Sequence, residues 1–111
     1  MATYNGEKYI REQLESILKQ IGCNDEIIIS DDGSKDATQQ VIESIGDKRI
    51  RYVKNTGTHW FTHNFENTLR LAQEEYIFLA DQDYIWLENK VDVVMKALQN
   101  VDFVTHNYIT V

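Results

Sequence analysis

Two carboxylates that lie two positions apart are the first feature of the sequence with evident chemistry. Asp81 and Asp83 flank Gln82 and directly follow the apolar residues 76–80. At the end of a buried strand both carboxylates can point toward one cation, and Mg²⁺ or Mn²⁺ is typically held by one or two carboxylates together with substrate phosphates. The pair is therefore a candidate metal site for a diphosphate substrate. The alternative is a solvated turn in which one Asp caps a helix.

A second acidic motif follows another short apolar run. Residues 31–34 read Asp-Asp-Gly-Ser and come after the β-branched residues 26–30. A carboxylate at a strand end can accept an N–H from a nucleobase edge, such as N3–H of uracil or thymine. The Gly permits a tight turn and the Ser can cap the following helix. Turn formation and capping alone also explain the motif, so both interpretations stand.

A third motif stands at the start of the chain, where residues 3–6 read Thr-Tyr-Asn-Gly. Tyr4 at a strand-to-helix turn can pack on a base, and the amides of the turn can contact it as well. A helix entry with an exposed aromatic residue is the alternative.

The remaining aromatic and imidazole side chains carry weaker signals. Phe61 and Phe65 share a helical stripe and are predicted to lie in the core, whereas Trp60 and Trp86 are left open as surfaces for a sugar ring. The His residues have no metal-ligand spacing with a Cys and are predicted to be surface or satisfied polar side chains: His59, His63 and His106.

The elements that must position these motifs show two hydrophobic periodicities. A helix is predicted over residues 7–21. Apolar stripes at helical spacing predict three more helices. The first stripe consists of Val41, Ile42 and Ile45, the second of Phe61, Phe65, Leu69 and Ala72, and the third of Leu87, Val91, Val94, Met95 and Leu98. Short apolar runs predict strands over residues 26–30, 50–53, 76–80 and 101–104, and residues 108–111 are consistent with the beginning of another.

This alternation predicts an α/β protein with a mostly parallel sheet and helices on both faces, because strands separated by helices need crossover connections. In such sheets ligands bind beyond the carboxyl ends of the strands. That rule selects residues 2–6, 31–34 and 81–84. Only Met1 precedes the first of these, so we expect the chain to begin within its first strand.

Composition narrows the class of protein further. A chain of 111 residues, 42% of them hydrophobic, predicts one domain over residues 1–111. Eleven Lys and Arg against eighteen Asp and Glu give a net charge of −7, which argues against nucleic-acid binding. No apolar run approaches the roughly 20 residues that span a bilayer. The lone Cys23 is expected to be a buried or half-buried thiol and fits a reducing, cytoplasmic compartment; attachment to the inner face of the membrane stays open.

The motifs in this order resemble the nucleotide-sugar-binding half of a family 2 glycosyltransferase, whose GT-A type fold is Rossmann-like; the chain resembles a truncated form of it. The resembling segments span nearly the whole chain: residues 2–6, 28–34, 55–57 with 64–66, and 76–86. The Asp-Gln-Asp…Ile-Trp form is similar to bacterial enzymes that build cell-surface polysaccharides, including rhamnosyltransferase-like members.

The resemblance implies transfer of a sugar, with inversion, from a UDP- or dTDP-type donor to a glycan or lipid-linked acceptor, with Mn²⁺ or Mg²⁺ as cofactor. Asp32 would hold the base N–H, Asp81 would lie by the ribose and the metal, and Asp83 would ligate the metal. The implied nucleotide-binding residues are Ala2, Thr3, Tyr4, Asp32 and Asp81.

The chain departs from the family pattern in ways that bear on activity. Tyr84 stands where the family often has a further Asp, which lowers the local charge. The family's catalytic base normally lies beyond this part, so none is named, and neither His106 nor Asp102 is a convincing substitute. Oligomeric state is open.

Two other classes of protein were weighed against this hypothesis. A phosphatase-like aspartyl nucleophile needs its motif on the first strand and a Thr or Val where Ile85 stands. A non-catalytic nucleotide- and metal-binding fragment or degenerate domain would bind nucleotide with metal but transfer nothing.

Overall fold

The computed structural model describes residues 1–105. His106 and the strand suggested over residues 108–111 lie outside the described residues. In chain order the elements are β1 (Ala2–Thr3), α1 (Ile10–Leu18), β2 (Ile27–Asp31), α2 (Thr38–Ile45), β3 (Ile50–Lys54), α3 (Phe61–Leu71) and α4 (Lys90–Leu98).

The three strands form one parallel sheet in the order β1-β2-β3. Ala2 lies opposite Ser30, and Ile27 lies opposite Ile50. The central strand β2 is buried along its whole length, as its β-branched composition predicts. The prediction of a parallel sheet with crossover helices is confirmed.

One face of β2 carries the hydrophobic core. Ile27 and Ile29 pack with Ile42 of α2 and with three residues of α1, namely Ile10, Leu14 and Ile17. Full burial of each such side chain contributes roughly 1.5–3 kcal/mol relative to exposure. Helix α2 ends at Gly46 with φ 66°, the left-handed conformation in which Gly commonly terminates a helix.

The other face of β2 is covered by α3, and here the predicted core stripe is wrong. Phe61 is 64% exposed, and Phe65 is only partly buried. The buried residues of α3 are instead Asn64 and Thr68. Asn64 Nδ2 donates to the carbonyl of Ser30 at 2.8 Å, so the helix satisfies strand polar groups that an apolar stripe would leave unpaired.

The strand predicted over residues 76–80 does not form. These residues run beside the β1 end of the sheet without a ladder, because β1 offers only two residues of edge. Side chains hold the segment instead: Phe78 packs on Trp86 at 5.6 Å between ring centroids, and Ala80 joins the core cluster that contains Met1. Ile77 and Leu79 stay exposed.

Two smaller expectations are also wrong. Residues 101–104 do not join the sheet described for residues 1–105, and Val101 and Phe103 are exposed. Cys23 is exposed rather than buried, since it lies in the turn between α1 and β2. In the described part of the chain, no helix has the length and apolar character that a membrane span requires.

Candidate functional site

The three polar motifs meet at the carboxyl edge of the sheet. β1 ends at Thr3 and β2 ends at Asp31, so the residues that follow them emerge side by side. The amide N–H of Asp32 donates to the carbonyl of Thr3 at 2.9 Å. Ala2 and Thr3 are buried, while the Tyr4 side chain is 51% exposed. Of these three residues of the first motif, Tyr4 alone therefore has an exposed side chain.

Gln82 joins the third motif to the first. Its Oε1 accepts from Thr3 Oγ1 at 2.6 Å and from the Tyr4 amide N–H at 3.0 Å, while its Nε2 donates to the Tyr4 carbonyl at 3.2 Å. A Cβ at Gly6 would come within 2.5 Å of Gln82 Oε1, so this approach requires Gly. Sequence reasoning missed Gln82, whose only local signal is its place between two Asp residues.

The first and second motifs are interlocked through reciprocal hydrogen bonds. The Asn5 amide donates to Ser34 Oγ at 2.9 Å, and the Lys35 amide donates to Asn5 Oδ1 at 2.9 Å. Glu7 Oε2 accepts from the amide of Ala37 at 2.7 Å. Asn5 has φ 47°, a left-handed conformation that Asn tolerates better than most residues. The two turns thus form one unit, which explains why α1 begins only at Ile10.

The two neighbouring Asp residues of the second motif have different environments. Asp31 is 1% exposed, and its Oδ1 accepts from the amides of Gly33 at 2.8 Å and Ser34 at 2.6 Å. The Asp31 side chain therefore stabilises the turn. The side chain of Asp32 is 15% exposed and faces the loop that follows β3.

Three donors from that loop surround the carboxylate of Asp32. Asn55 Nδ2 donates to Asp32 Oδ1 at 2.9 Å, and His59 Nδ1 lies 2.8 Å from the same oxygen. The amide of Trp60 donates to Oδ2 at 3.2 Å. His59 is therefore a satisfied polar side chain, as predicted, but its partner is the carboxylate that the sequence nominates for base recognition.

Asp81 and Asp83 lie on the loop after the irregular segment 76–80, and Asp83 is exposed. The pKa of the Asp81 carboxyl is raised, first by burial and then by the neighbouring charge of Asp83; the chain's amino terminus opposes this. The two carboxylates are thus close enough to repel each other. A bound cation would relieve that repulsion.

Helix α1 fixes the position of this loop. Gln13 Nε2 donates to the Asp81 carbonyl at 2.8 Å, and Ser16 Oγ accepts from the Trp86 amide at 3.0 Å. Gln20 Nε2 donates to the Leu87 carbonyl at 2.9 Å. Positions 13 and 16 lie on one side of α1, and Gln20 lies in the turn just after it, so polar side chains at this end of α1 hold the loop.

The two Trp residues whose role the sequence does not decide differ in their exposure to solvent. Trp86 is 7% exposed, packs on Phe78, and has Lys90 Nζ 4.4 Å from its ring centroid. It is a core residue. Trp60 is 76% exposed and adjoins Asp32 through its amide, so it alone of the two adjoins a candidate ligand site.

The donor set for a metal consists of two carboxylates. Among residues 1–105, no cluster of three or more His, Cys, Asp or Glu side chains is arranged to hold a metal ion. Asp81 and Asp83 nevertheless fit a cation that takes its remaining ligands from substrate phosphates and water, which is how Mg²⁺ is commonly bound.

A parallel α/β sheet with polar turns gathered at its carboxyl edge is the arrangement in which open α/β folds bind ligands. A model of the family described as glycosyl transferase family 2 matches residues 1–110, and the chain belongs to that family.

Two curated relatives and one solved structure illustrate the similarity. The chain is 31% identical over 110 residues to an Escherichia coli protein named UDP-Glc:alpha-D-GlcNAc-diphosphoundecaprenol beta-1,3-glucosyltransferase WfgD, covering 97% of this chain and 44% of that protein. It is 36% identical over 108 residues to the dTDP-rhamnosyl transferase RfbG of Shigella flexneri, covering 88% of this chain and 36% of that protein. The S. aureus TarS structure matches with a TM-score of 0.78 at 24% identity over 88% of this chain and 30% of that one.

These comparisons establish the family and the fold. The GT-A type α/β fold expected from the sequence is confirmed by the TarS structure, and the expected family by the family model. The chain spans less than half the length of the curated relatives described above.

Proposed function

We propose that this chain is the donor-binding part of a glycosyltransferase that moves a sugar from a nucleoside-diphosphate sugar to an acceptor hydroxyl during cell-surface polysaccharide synthesis. The observation that carries the proposal is the bond of Gln82 to Thr3 and Tyr4. It joins the candidate metal loop to the candidate base-binding turn, as a site for a nucleotide diphosphate requires. Membership of glycosyl transferase family 2 supports the proposal.

The base and ribose are assigned to the first two motifs. Asp32 accepts N3–H of a uracil or thymine, since its carboxylate already accepts neutral N–H donors in this structure. The exposed ring of Tyr4 packs against the base or ribose, and the buried Ala2 and Thr3 contribute backbone groups beneath it.

Asp83, with Asp81 beside it, is assigned to a divalent cation, Mn²⁺ or Mg²⁺. Such a cation, when bound, neutralises the negative charge of the donor diphosphate. The raised pKa of the Asp81 carboxyl, which comes first from burial and then from the neighbouring charge of Asp83, is consistent with this assignment. Tyr84, where the family often has a further Asp, leaves the loop with these two carboxylates.

A UDP- or dTDP-linked sugar is the proposed donor and a glycan or lipid-linked sugar the proposed acceptor. The names of two relatives support both choices, since one specifies UDP-Glc with a diphosphoundecaprenol acceptor and the other a dTDP-rhamnosyl donor. Transfer with inversion is part of the proposal. We assign the catalytic base to no residue of this chain.

The proposal is tested by calorimetric titration with UDP, dTDP and GDP, each with and without Mn²⁺. We expect UDP or dTDP to bind only with Mn²⁺, and binding to be lost in Asp83→Ala and in Asp32→Ala. Asp92→Ala is the matched control, because Asp92 is an exposed carboxylate on α4 away from the motifs. Failure of a folded chain to bind any of the three nucleotides would refute the assignment of the site.

A further inference from the structure

The nucleobase-reading oxygen of Asp32 is already occupied in the free protein. His59 Nδ1 lies 2.8 Å from Oδ1, so with the Nδ1–H tautomer or the imidazolium the ring donates to it. An imidazole N–H and the N3–H of uracil are planar ring donors of the same kind. The His59 side chain therefore occupies the position at Asp32 Oδ1 that the proposed function assigns to the base.

The hydrogen bond between His59 and Asp32 is easy to open on the His59 side. The His59 side chain is 63% exposed, against 15% for Asp32, and a hydrogen bond or ion pair made by an exposed side chain is weak. Asn55 differs: it is 9% exposed, and its Oδ1 accepts from the amide of Gly57 at 3.0 Å. Asn55 therefore stays as the support of the carboxylate when the imidazole leaves.

The backbone beside His59 also favours movement. Trp60 has φ 153°, a region that residues with a Cβ rarely adopt, and its amide reaches Asp32 Oδ2 only at 3.2 Å. Strain of this kind persists where surrounding contacts hold it, and it is concentrated at ligand-binding segments.

We infer that His59 is an internal competitor of the nucleobase for Asp32, and that it sets the affinity for bases carrying an imide N–H. This inference rests on the proposed function. An adenine base has no imide N–H to offer Asp32 and only its exocyclic N6 amino group can donate, so removal of the competitor strengthens its binding less than that of uracil or thymine. His59 thus affects how strongly the site prefers uracil and thymine over adenine.

The test compares UDP and ADP titrations, with Mn²⁺, of the 111-residue chain and of His59→Ala. We expect His59→Ala to bind UDP about two- to fivefold more tightly, the range that an exposed ion pair supports. ADP affinity should increase less than UDP affinity. His63→Ala is the matched control, because His63 is 52% exposed and pairs with Glu66 at 3.7 Å on the same helix.

A second measurement needs no variant. In the nuclear magnetic resonance spectrum of the wild-type chain, UDP should shift the ring signals of His59 toward those of a free imidazole and leave those of His63 in place. UDP bound through Asp32 with His59 signals unchanged, or with unchanged affinity in His59→Ala, overturns the inference and leaves the proposed function standing. Absence of UDP binding to any variant overturns both.

Discussion

The side-chain amide of Gln82 and the backbone of Tyr4 form a two-point hydrogen bond. Oε1 accepts from the Tyr4 amide at 3.0 Å, and Nε2 donates to the Tyr4 carbonyl at 3.2 Å. The two residues are 78 positions apart in the chain. The bond therefore fixes the distance between the turn assigned to the base and the loop assigned to the metal.

Replacing Gln82 should uncouple these two parts of the site. We expect Gln82→Ala to weaken UDP binding by about five- to tenfold, because each net hydrogen bond contributes on the order of 1 kcal/mol. Calorimetry with Mn²⁺ measures the effect. Gln39→Ala is the control, since Gln39 lies on α2 and its amide donates to Glu43 Oε1 of the same helix at 2.7 Å. Equal affinities for wild type and Gln82→Ala would contradict the coupling.

A methyl group at Gly6 should disrupt the same contact between Gln82 and the first motif. The new Cβ would lie 2.5 Å from Gln82 Oε1, and the flexible amide can move away. We therefore expect Gly6→Ala to weaken UDP binding about as much as Gln82→Ala does, with a change in unfolding free energy below about 1 kcal/mol. The double variant should be no weaker than either single one, as for two residues that share one interaction. Additive losses of UDP-binding free energy would show that Gly6 affects binding independently of Gln82.

The polar face of α3 should matter more to stability than its aromatic stripe. Asn64→Ala leaves the buried carbonyl of Ser30 without its 2.8 Å donor, which costs about 1–3 kcal/mol. Phe61→Ala, at a residue 64% exposed, should cost less than about 1 kcal/mol. Urea unfolding of both variants gives the comparison, and the reverse order would mean that α3 packs through its aromatic side.

Asp81 should lower the stability of the protein at neutral pH. Its folded-state pKa is raised, so the folded state binds the proton more tightly than the unfolded state does. Its contribution is then most favourable at acid pH, below the ordinary Asp pKa, and is lost as the pH rises through the folded pKa. Asp81→Asn should therefore raise Tm at pH 7 and not at acid pH, while weakening Mn²⁺-dependent UDP binding. Thermal unfolding across pH, with Asp92→Asn as control, measures this; an equal gain in Tm at all pH values would contradict it.

The buried strands were predictable because their signal is local. Residues 26–30 contain three consecutive Ile residues, and β2 occupies nearly the same positions. Residues 76–80 carry an equally apolar pattern, but a strand also needs a neighbour of matching length, and β1 supplies two residues. Strand pairing depends on the tertiary structure, so hydrophobic periodicity alone could not reveal that residues 76–80 form no strand.

The candidate site was predictable only in part, for a related reason. Asp32, Asp81 and Asp83 stand at strand ends or in a loop where their types are informative. Their partners are distant in sequence: His59 is 27 positions from Asp32, and Gln82 is 78 positions from Tyr4. Asn64 was singled out only as part of a resembling segment, and its burial was not predicted, because a polar residue within a helix normally indicates the solvent side, whereas here it donates to a strand carbonyl.

Helix α1 contributes no side chain to the proposed ligand contacts, yet Gln13, Ser16 and Gln20 hold the loop that bears Asp81. Two of these anchor points lie within the helix, whose rise of about 1.5 Å per residue sets their spacing, while Gln20 lies just beyond its end. Substitution at any of the three positions would therefore displace the loop and leave the identity of its two carboxylates unchanged.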